Sequence, residues 1–159
     1  MDIILLTQSF IIGILSTLIM DFNSLLIQNI FKIKSLNYAW LGRWLLSISD
    51  KKLIHQNIMQ TPIKKYEKQL GWFLHYLIGI LWVFIFLYIC KQYNFDLNLK
   101  NSLIFSILTT LIPFLILQPL FGFGFFASKT PNQIMSLINS MIAHLSFGIG
   151  IYICLKIII

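Results

Sequence analysis

The sequence predicts an all-α protein that crosses a lipid bilayer four times, and three observations lead to this fold class. Hydrophobic residues make up 58% of the 159 residues and charged residues only 11%, with a mean hydropathy of +0.83. The hydrophobic residues are gathered into four long blocks and do not alternate with polar residues at the period of a soluble helix or strand. The basic residues are concentrated between the first two blocks. So few charges cannot cover a water-soluble surface of ordinary composition.

Each apolar block is long enough for a membrane helix, since about 20 apolar residues cross the hydrocarbon core. The predicted spans are residues 3–31, 70–91, 102–120 and 133–158. The third span contains Pro113, which a membrane helix tolerates as a kink. The fourth has a helix-start pattern, with Thr130 as the N-cap, Pro131 at the first helical position and Gln133 as a capping-box residue. We therefore expect residues 1–159 to form a single membrane domain, a four-transmembrane-helix bundle.

The distribution of basic residues predicts the direction of the spans. Eight of the 12 Lys and Arg residues lie in the first loop, residues 32–69, whereas the second loop contains Lys91 and Lys100. Lys and Arg are enriched in cytoplasmic loops of membrane proteins. We therefore expect a bacterial inner-membrane protein with the first loop in the cytoplasm and both termini in the periplasm.

The first loop also indicates which partners to expect. Residues 36–49 carry Tyr38, Trp40 and Trp44, and they predict a short amphipathic helix in the headgroup layer. A net charge of +7 is compatible in principle with nucleic-acid binding, but basic residues gathered between apolar spans are typical of attraction to anionic headgroups. Membrane lipids are the expected partner, and nucleic acid is not.

Small and polar side chains recur four residues apart in each span, which places them on one helix face. Such faces allow helices to approach closely in lipid, so they are expected to point inward. Ionisable groups are costly at this depth and therefore mark candidate sites. The candidate intramembrane polar site consists of Thr17, Asp21, His75, Thr110 and His144. The alternative interpretation is structural: Asp21 pairs with a loop lysine, and each histidine stays neutral and hydrogen-bonds a neighbouring helix.

A second group of polar residues is expected near the cytoplasmic ends of the spans. These candidate mouth residues are Asn37, Arg43, Glu67, Gln118 and Lys129. The chain has no local metal-ligand spacing, so neither a metal site nor a cofactor is predicted. Both cysteines, Cys90 and Cys154, fall in apolar spans and are expected to be inert thiols.

Three function classes remain open at this point. The first is a non-enzymatic protein that binds or passes a small solute, ion or proton through the intramembrane polar site. A homodimer is its expected transport unit, because four short helices make a narrow pore. The second is a membrane-embedded enzyme acting on a lipid or isoprenoid, with Glu67, His75 or Asp21 as acid or base and Arg43 or Lys129 holding a phosphate. The third is an accessory subunit that docks on another membrane protein.

A set of motifs across nearly the whole chain resembles a known bacterial family. The motif residues are Met20, Asp21, Asn37, Tyr38, Gly42, Arg43, Trp44, Gly71, Trp72, His75, Tyr76, Gly79, Gln118, Pro119, Gly122, Gly124, Ala127, Ser128, Thr130, Pro131, His144, Phe147, Gly148, Gly150 and Tyr152. Together they resemble the small inner-membrane proteins of domain of unknown function 2938. The resemblance implies an inner-membrane location and a shared polar core, and it implies no activity and no catalytic residues.

Overall fold

Helices are the regular elements of the computed structural model, which describes residues 3–32 and 36–159. No strand occurs in these two ranges. Lys34, counted above with the basic residues of the first loop, and the terminal Met1 lie outside them. The α-helices are α1 (Ile3–Phe31), α2 (Ala39–Ser47), α3 (Glu67–Tyr93), α4 (Leu99–Thr109), α5 (Gln118–Leu120) and α6 (Gln133–Ile158).

Four helical segments are long and apolar enough to cross a membrane, which confirms the predicted fold class. They are Ile3–Phe31, Glu67–Tyr93, Leu99–Leu120 and Gln133–Ile158. The second and third segments each begin three residues earlier than predicted, because polar residues start these helices. Asn98 Oδ1 accepts the backbone N–H of Asn101 at 2.9 Å and so caps α4, and the carboxylate of Glu67 lies in the first turn of α3, where the helix dipole favours it.

The third span is not a regular α-helix. Helix α4 ends at Thr109, a π-helical segment covers Pro113–Leu117, and α5 follows. Pro113 has no backbone N–H and its ring crowds the preceding turn, so it cannot continue an α-helix. The third span thus continues through Pro113, as predicted, and the proline is accommodated by a wider helical turn.

The fourth span begins at Gln133, as predicted, but the N-cap residue predicted for it lies two residues too early. Asn132 Oδ1 accepts the backbone N–H of Met135 at 3.1 Å, so Asn132 is the N-cap of α6. The Thr130 hydroxyl donates to the carbonyl of Ala127 at 2.7 Å, and Gln133 Nε2 donates to the carbonyl of Phe126 at 3.0 Å. Both side chains thus stabilise the preceding turn and do not form the expected capping box.

The short helix predicted at 36–49 is present but shorter. It is α2, Ala39–Ser47, followed by a 3-10 turn at Ile48–Asp50. Asn37 Oδ1 accepts the backbone N–H of Ala39 at 3.1 Å, and this bond helps to set the start of α2.

The described residues divide between two compact units. Unit 1 contains residues 3–32, 76–109 and 141–159, and unit 2 contains residues 36–75 and 110–140. The single membrane domain expected from the sequence stays a prediction. The hydrophobic core of unit 1 is formed by side chains of α1, α3 and α6, among them Ile12, Val83 and Ile151, each 0% exposed.

Helix α6 presents two different faces to its neighbours in unit 1. A Cβ added at Gly148 would lie 2.9 Å from the carbonyl oxygen of Ser102, so this face lies against α4. A Cβ added at Gly150 would lie 2.9 Å from the Cα of Ser16, so the other face lies against α1. Neither site has room for a larger side chain, which is how small residues bring helices together in lipid.

Unit 2 contains an equally close helix crossing. A Cβ added at Gly42 of α2 would lie 2.8 Å from the backbone nitrogen of Gly71 in α3. A second close approach involves Gly122, whose φ of 85° disfavours other residues and whose added Cβ would lie 2.6 Å from the carbonyl oxygen of His55. The loop between α2 and α3 is therefore packed tightly against the turn that follows α5.

The packing of α6 on α4 predicts that Gly148→Ala destabilises the protein by about 1–3 kcal/mol, through overpacking. The substitution raises helix propensity, so a loss of stability must come from the contact with Ser102 and Ser106. The free energy of unfolding in detergent measures the effect. The matched control is Ile149→Ala, at a position 43% exposed, which should change stability little. Equal effects of both substitutions would contradict the close contact.

Candidate functional site

Asp21 lies in α1 on a face that contacts α3 within unit 1. Its carboxylate accepts a hydrogen bond from the Tyr76 hydroxyl at 3.0 Å, and the residue is 9% exposed. Four residues earlier, Thr17 donates to the carbonyl of Gly13 at 2.7 Å and lies against Gly79 of α3. Residues four apart on α1 thus follow one stripe along α3, as the sequence pattern predicted.

A second polar contact joins α1 to α6. Asn23 Nδ2 donates to the hydroxyl oxygen of Ser146, and that hydroxyl donates in turn to the carbonyl of Ile142 at 2.8 Å. On α1 this contact follows the Gly150 contact at Ser16, and on α6 it precedes Gly150, so the two helices run antiparallel. At 1.5 Å of rise per residue, this pairing places Asp21 and His144 about 6 Å apart along the helix axes.

His144 of α6 is hydrogen-bonded to α4. Its Nδ1 lies 2.7 Å from Thr109 Oγ1, and the Thr109 hydroxyl donates to the carbonyl of Ser106 at 2.7 Å. A carbonyl oxygen only accepts, so the single hydroxyl hydrogen of Thr109 is used in that bond. It follows that His144 donates from Nδ1 in this contact.

The threonine of this contact was not among the predicted site residues. Thr109 is three residues after Ser106 and so shares a helix face with it, whereas the predicted role of Thr110 in the site stays a prediction. Tyr76, Asn23 and Ser146 were also not among the predicted site residues. The helical spacing was a usable signal for Thr109, but nothing in the sequence indicates that Tyr76 reaches Asp21.

The five predicted intramembrane residues are divided between the two units. Thr17, Asp21 and His144 belong to unit 1, whereas His75 and Thr110 belong to unit 2. The convergence of all five stays a prediction. Within the described ranges, no group of three or more His, Cys, Asp or Glu side chains is placed to hold a metal ion.

His75 is in unit 2, inside an aromatic group at the start of α3. Its ring stacks on Tyr38 with 3.8 Å between centroids and 19° between planes, and Trp72 meets Tyr38 edge-on at 4.8 Å. His75 is 9% exposed and Thr110 is 4% exposed. The stacking attaches α3 to the residue that precedes α2.

Two of the predicted mouth residues form a buried ion pair in unit 2. Arg43 Nε and Arg43 Nη2 each donate to one carboxylate oxygen of Glu67 at 2.7 Å. Arg43 Nη1 donates to the carbonyls of Ile58 and Thr61 at 2.9 and 3.0 Å, and Glu67 also accepts the backbone N–H of Lys64 at 2.8 Å. The hydrogen bonds to Glu67 raise the pKa of the Arg43 guanidinium above its usual value. This ion pair therefore joins α2 to α3 and to the loop that lies between them.

The remaining mouth residues are placed around the turn after α5. Lys129 is exposed, and its backbone N–H donates to the carbonyl of Phe123 at 2.8 Å. Gln118 is half-buried, and its Oε1 is a buried atom with no hydrogen-bond partner among the described residues. Asn37 Oδ1 accepts the backbone N–H of Ala39 at the start of α2, as described above. Gln118 is thus the mouth residue with an unused buried polar atom.

His55 is a functional candidate that sequence reasoning missed. It is 3% exposed, its Nδ1 lies 2.9 Å from Thr61 Oγ1, and its backbone N–H donates to the carbonyl of Leu120 at 2.8 Å. Burial lowers the pKa of His55, and the positive charges of Lys52 and Arg43 lower it further. The folded loop therefore holds this imidazole in its neutral form.

The buried pair predicts that Arg43→Met destabilises the protein by about 3–5 kcal/mol, because Glu67 is left as a buried unpaired carboxylate. Trypsin cleavage at Lys51 and Lys52 should become faster as the loop loses its anchor. The double substitution Arg43→Met with Glu67→Leu should recover part of the stability, since no buried charge remains. A double variant less stable than the single one would contradict this account.

The environment of His55 predicts that the loop is less stable in acid. In an unfolded loop the His55 imidazole takes up a proton near pH 6.5, whereas in the folded loop it does so only at lower pH. The stabilisation is therefore complete above about pH 6.5 and falls as the pH drops below it. Hydrogen exchange at the backbone amides of His55 and Ile58, corrected for intrinsic rates, measures the change. His55→Asn should remove this pH dependence, and an unchanged profile in that variant would refute the role of His55.

The comparisons with known proteins give one match. The chain matches the family described as Protein of unknown function (DUF2938) over residues 10–158, a range that includes every contact of both units described in this subsection. The comparison with curated proteins and the comparison with solved structures found no match. The family description names no activity. Because the match covers nearly the whole chain, the resemblance seen in the motifs is confirmed, and the chain belongs to the DUF2938 family of proteins of unknown function.

Proposed function

We propose that this protein is a multi-pass inner-membrane protein that binds and passes protons through an ionisable site in unit 1. The observation that carries the proposal is the Asp21 carboxylate, which lies inside a membrane-length helix, is 9% exposed and accepts a hydrogen bond from Tyr76. An ionisable group in a membrane span is costly and marks an ion or proton pathway by default.

The depth of Asp21 supports this assignment. Eighteen residues separate it from Ile3 and ten from Phe31, so it lies about 27 Å and 15 Å from the two ends of α1. Asp21 therefore lies within α1 and several turns away from either end of this helix. Its hydrogen bond to Tyr76 offsets part of the cost of leaving water.

The chemistry of the neighbouring groups favours protons over other small solutes. Asp21 and Tyr76 share a hydrogen bond, and the His144 imidazole lies about 6 Å from Asp21 along the helix axes. Carboxylate, phenol and imidazole groups exchange protons by hydrogen bonds that break and reform, and such chains form the proton relays of membrane pumps. The homodimer expected as the transport unit stays a prediction.

The lipid-directed enzyme draws less support from the geometry. Arg43 was its candidate phosphate ligand, yet four of the N–H groups of Arg43 already donate to Glu67, Ile58 and Thr61. Glu67 was its candidate acid or base, yet both carboxylate oxygens accept hydrogen bonds within unit 2. These two side chains are committed to holding the loop.

The orientation proposed with this function has the first loop in the cytoplasm and both termini in the periplasm of a bacterium. It is supported by the eight Lys and Arg residues of that loop, since retention of basic residues in the cytoplasm sets the topology. Protons would then move between the periplasm and the cytoplasm along the site in unit 1.

The test is proton flux into proteoliposomes loaded with a pH-sensitive dye and driven by a potassium diffusion potential. Asp21→Asn should reduce the flux by about tenfold or more, because an amide cannot release a proton at this position. Tyr76→Phe should reduce it less, since the carboxylate remains. The matched control is Asp96→Asn, which removes the same charge from an exposed loop between α3 and α4 and should leave the flux unchanged. Flux in the Asp21→Asn variant equal to that of the unchanged protein would refute the proposal.

A further inference from the structure

The loop between α2 and α3 presents a surface that combines basic and apolar side chains, and the proposed function does not use it. This basic-apolar surface consists of Lys51, Lys52, Ile54, Ile63, Lys65 and Tyr66. Its apolar members are strongly exposed: Ile54 is 68% exposed, Ile63 80% and Tyr66 62%. Exposed apolar side chains of this size, grouped in one short loop, indicate an interaction surface.

The fold of the loop brings its two ends together, and each end carries members of this surface. An ion pair between Asp50 and Lys64 brings the residues that follow α2 next to those that precede α3. Arg43 holds the middle of the loop by its hydrogen bonds to Ile58 and Thr61. Trp44 Nε1 donates to the carbonyl of Leu53 at 2.9 Å and fixes the segment next to Ile54. The exposed side chains are therefore held outward by a preformed backbone and need little further ordering to bind.

The charge of the surface determines what it fits. Lys51, Lys52 and Lys65 are exposed and form no ion pair with the described residues, while the one acidic group of the segment, Asp50, is paired with Lys64. Lys65 lies over the ring of Tyr66, with its ammonium 4.8 Å from the ring centre. The occupant must therefore offer negative charge beside an apolar region.

We infer that this surface docks on the anionic headgroup layer of the membrane that the chain itself spans. Lipid headgroups supply the negative charge and the acyl boundary receives Ile54 and Ile63, as in interfacial segments of peripheral proteins. The chain connectivity places the layer within reach, because Ile63 is four residues before the first residue of α3 and so lies within about 14 Å of it. A soluble acidic protein offers the charge but no apolar layer held at that distance.

The experiment uses the full chain in lipid nanodiscs, with Ile63→Cys labelled by an environment-sensitive NBD dye. Cys90 and Cys154 are 5% and 3% exposed, so a parallel labelling of the unchanged protein gives the background. Emission should rise about twofold and shift to the blue when phosphatidylglycerol replaces part of the phosphatidylcholine, as expected for a dye entering the acyl boundary. The rise should shrink at 1 M salt, where charges are screened beyond about 3 Å.

Two charge variants decide the result. The first triple variant should remove the response to phosphatidylglycerol, and it carries Lys51→Gln, Lys52→Gln and Lys65→Gln. The matched control should leave the response intact, because it removes the same number of charges from other parts of the chain, by Lys91→Gln, Lys100→Gln and Lys156→Gln. Equal emission in both lipid mixtures, or an equal loss in both triple variants, would overturn the proposal. Proton flux is not part of this readout, so either proposal can fail alone.

Discussion

The structure depends on one constraint: polar groups that leave water must find partners inside the protein. In unit 1 three of the four glycines at helix crossings lie beside a hydroxyl or a carbonyl, namely Gly79, Gly148 and Gly150, whereas Gly13 lies against Ile80. Gly148 lies against Ser102 and Ser106, and Gly150 against Ser16. The hydroxyl of Ser106 donates to its own helix at the carbonyl of Leu103, which satisfies it without a partner on α6. Ser106 therefore combines tight packing with a satisfied hydroxyl, whereas Ser16 Oγ is a buried atom with no hydrogen-bond partner among the described residues.

The same constraint explains why the functional candidates occur as pairs. Asp21 is paired with Tyr76, and His144 with Thr109, each across two helices. A structural role and a functional role are compatible at such positions, because the partner that makes a buried group tolerable also orients it. Thr109 orients the His144 ring through Nδ1, and Tyr76 donates to one carboxylate oxygen of Asp21.

The sequence was sufficient to predict the four spans, because the length and composition of each apolar block decide them locally. It was also sufficient for the stripe of Gly13, Thr17 and Asp21, which follows from helical spacing. Helix starts were less accurate, since Asn98 and Asn132 lie in polar segments whose capping depends on three-dimensional detail. His55 was missed because its burial comes from contacts with residues far along the chain, near Leu120.

The contacts of the first loop also constrain the order in which the polypeptide completes its fold during biosynthesis. Arg43 leaves the ribosome 24 residues before Glu67, so its guanidinium stays hydrated until the second span begins to emerge. The backbone N–H groups of His55 and Ile58 gain their acceptors later still, because Leu120 and Phe121 lie at the end of the third span. A nascent chain that contains only the first two spans therefore carries an unfinished loop, and this part of the protein closes only after the third span has been synthesised.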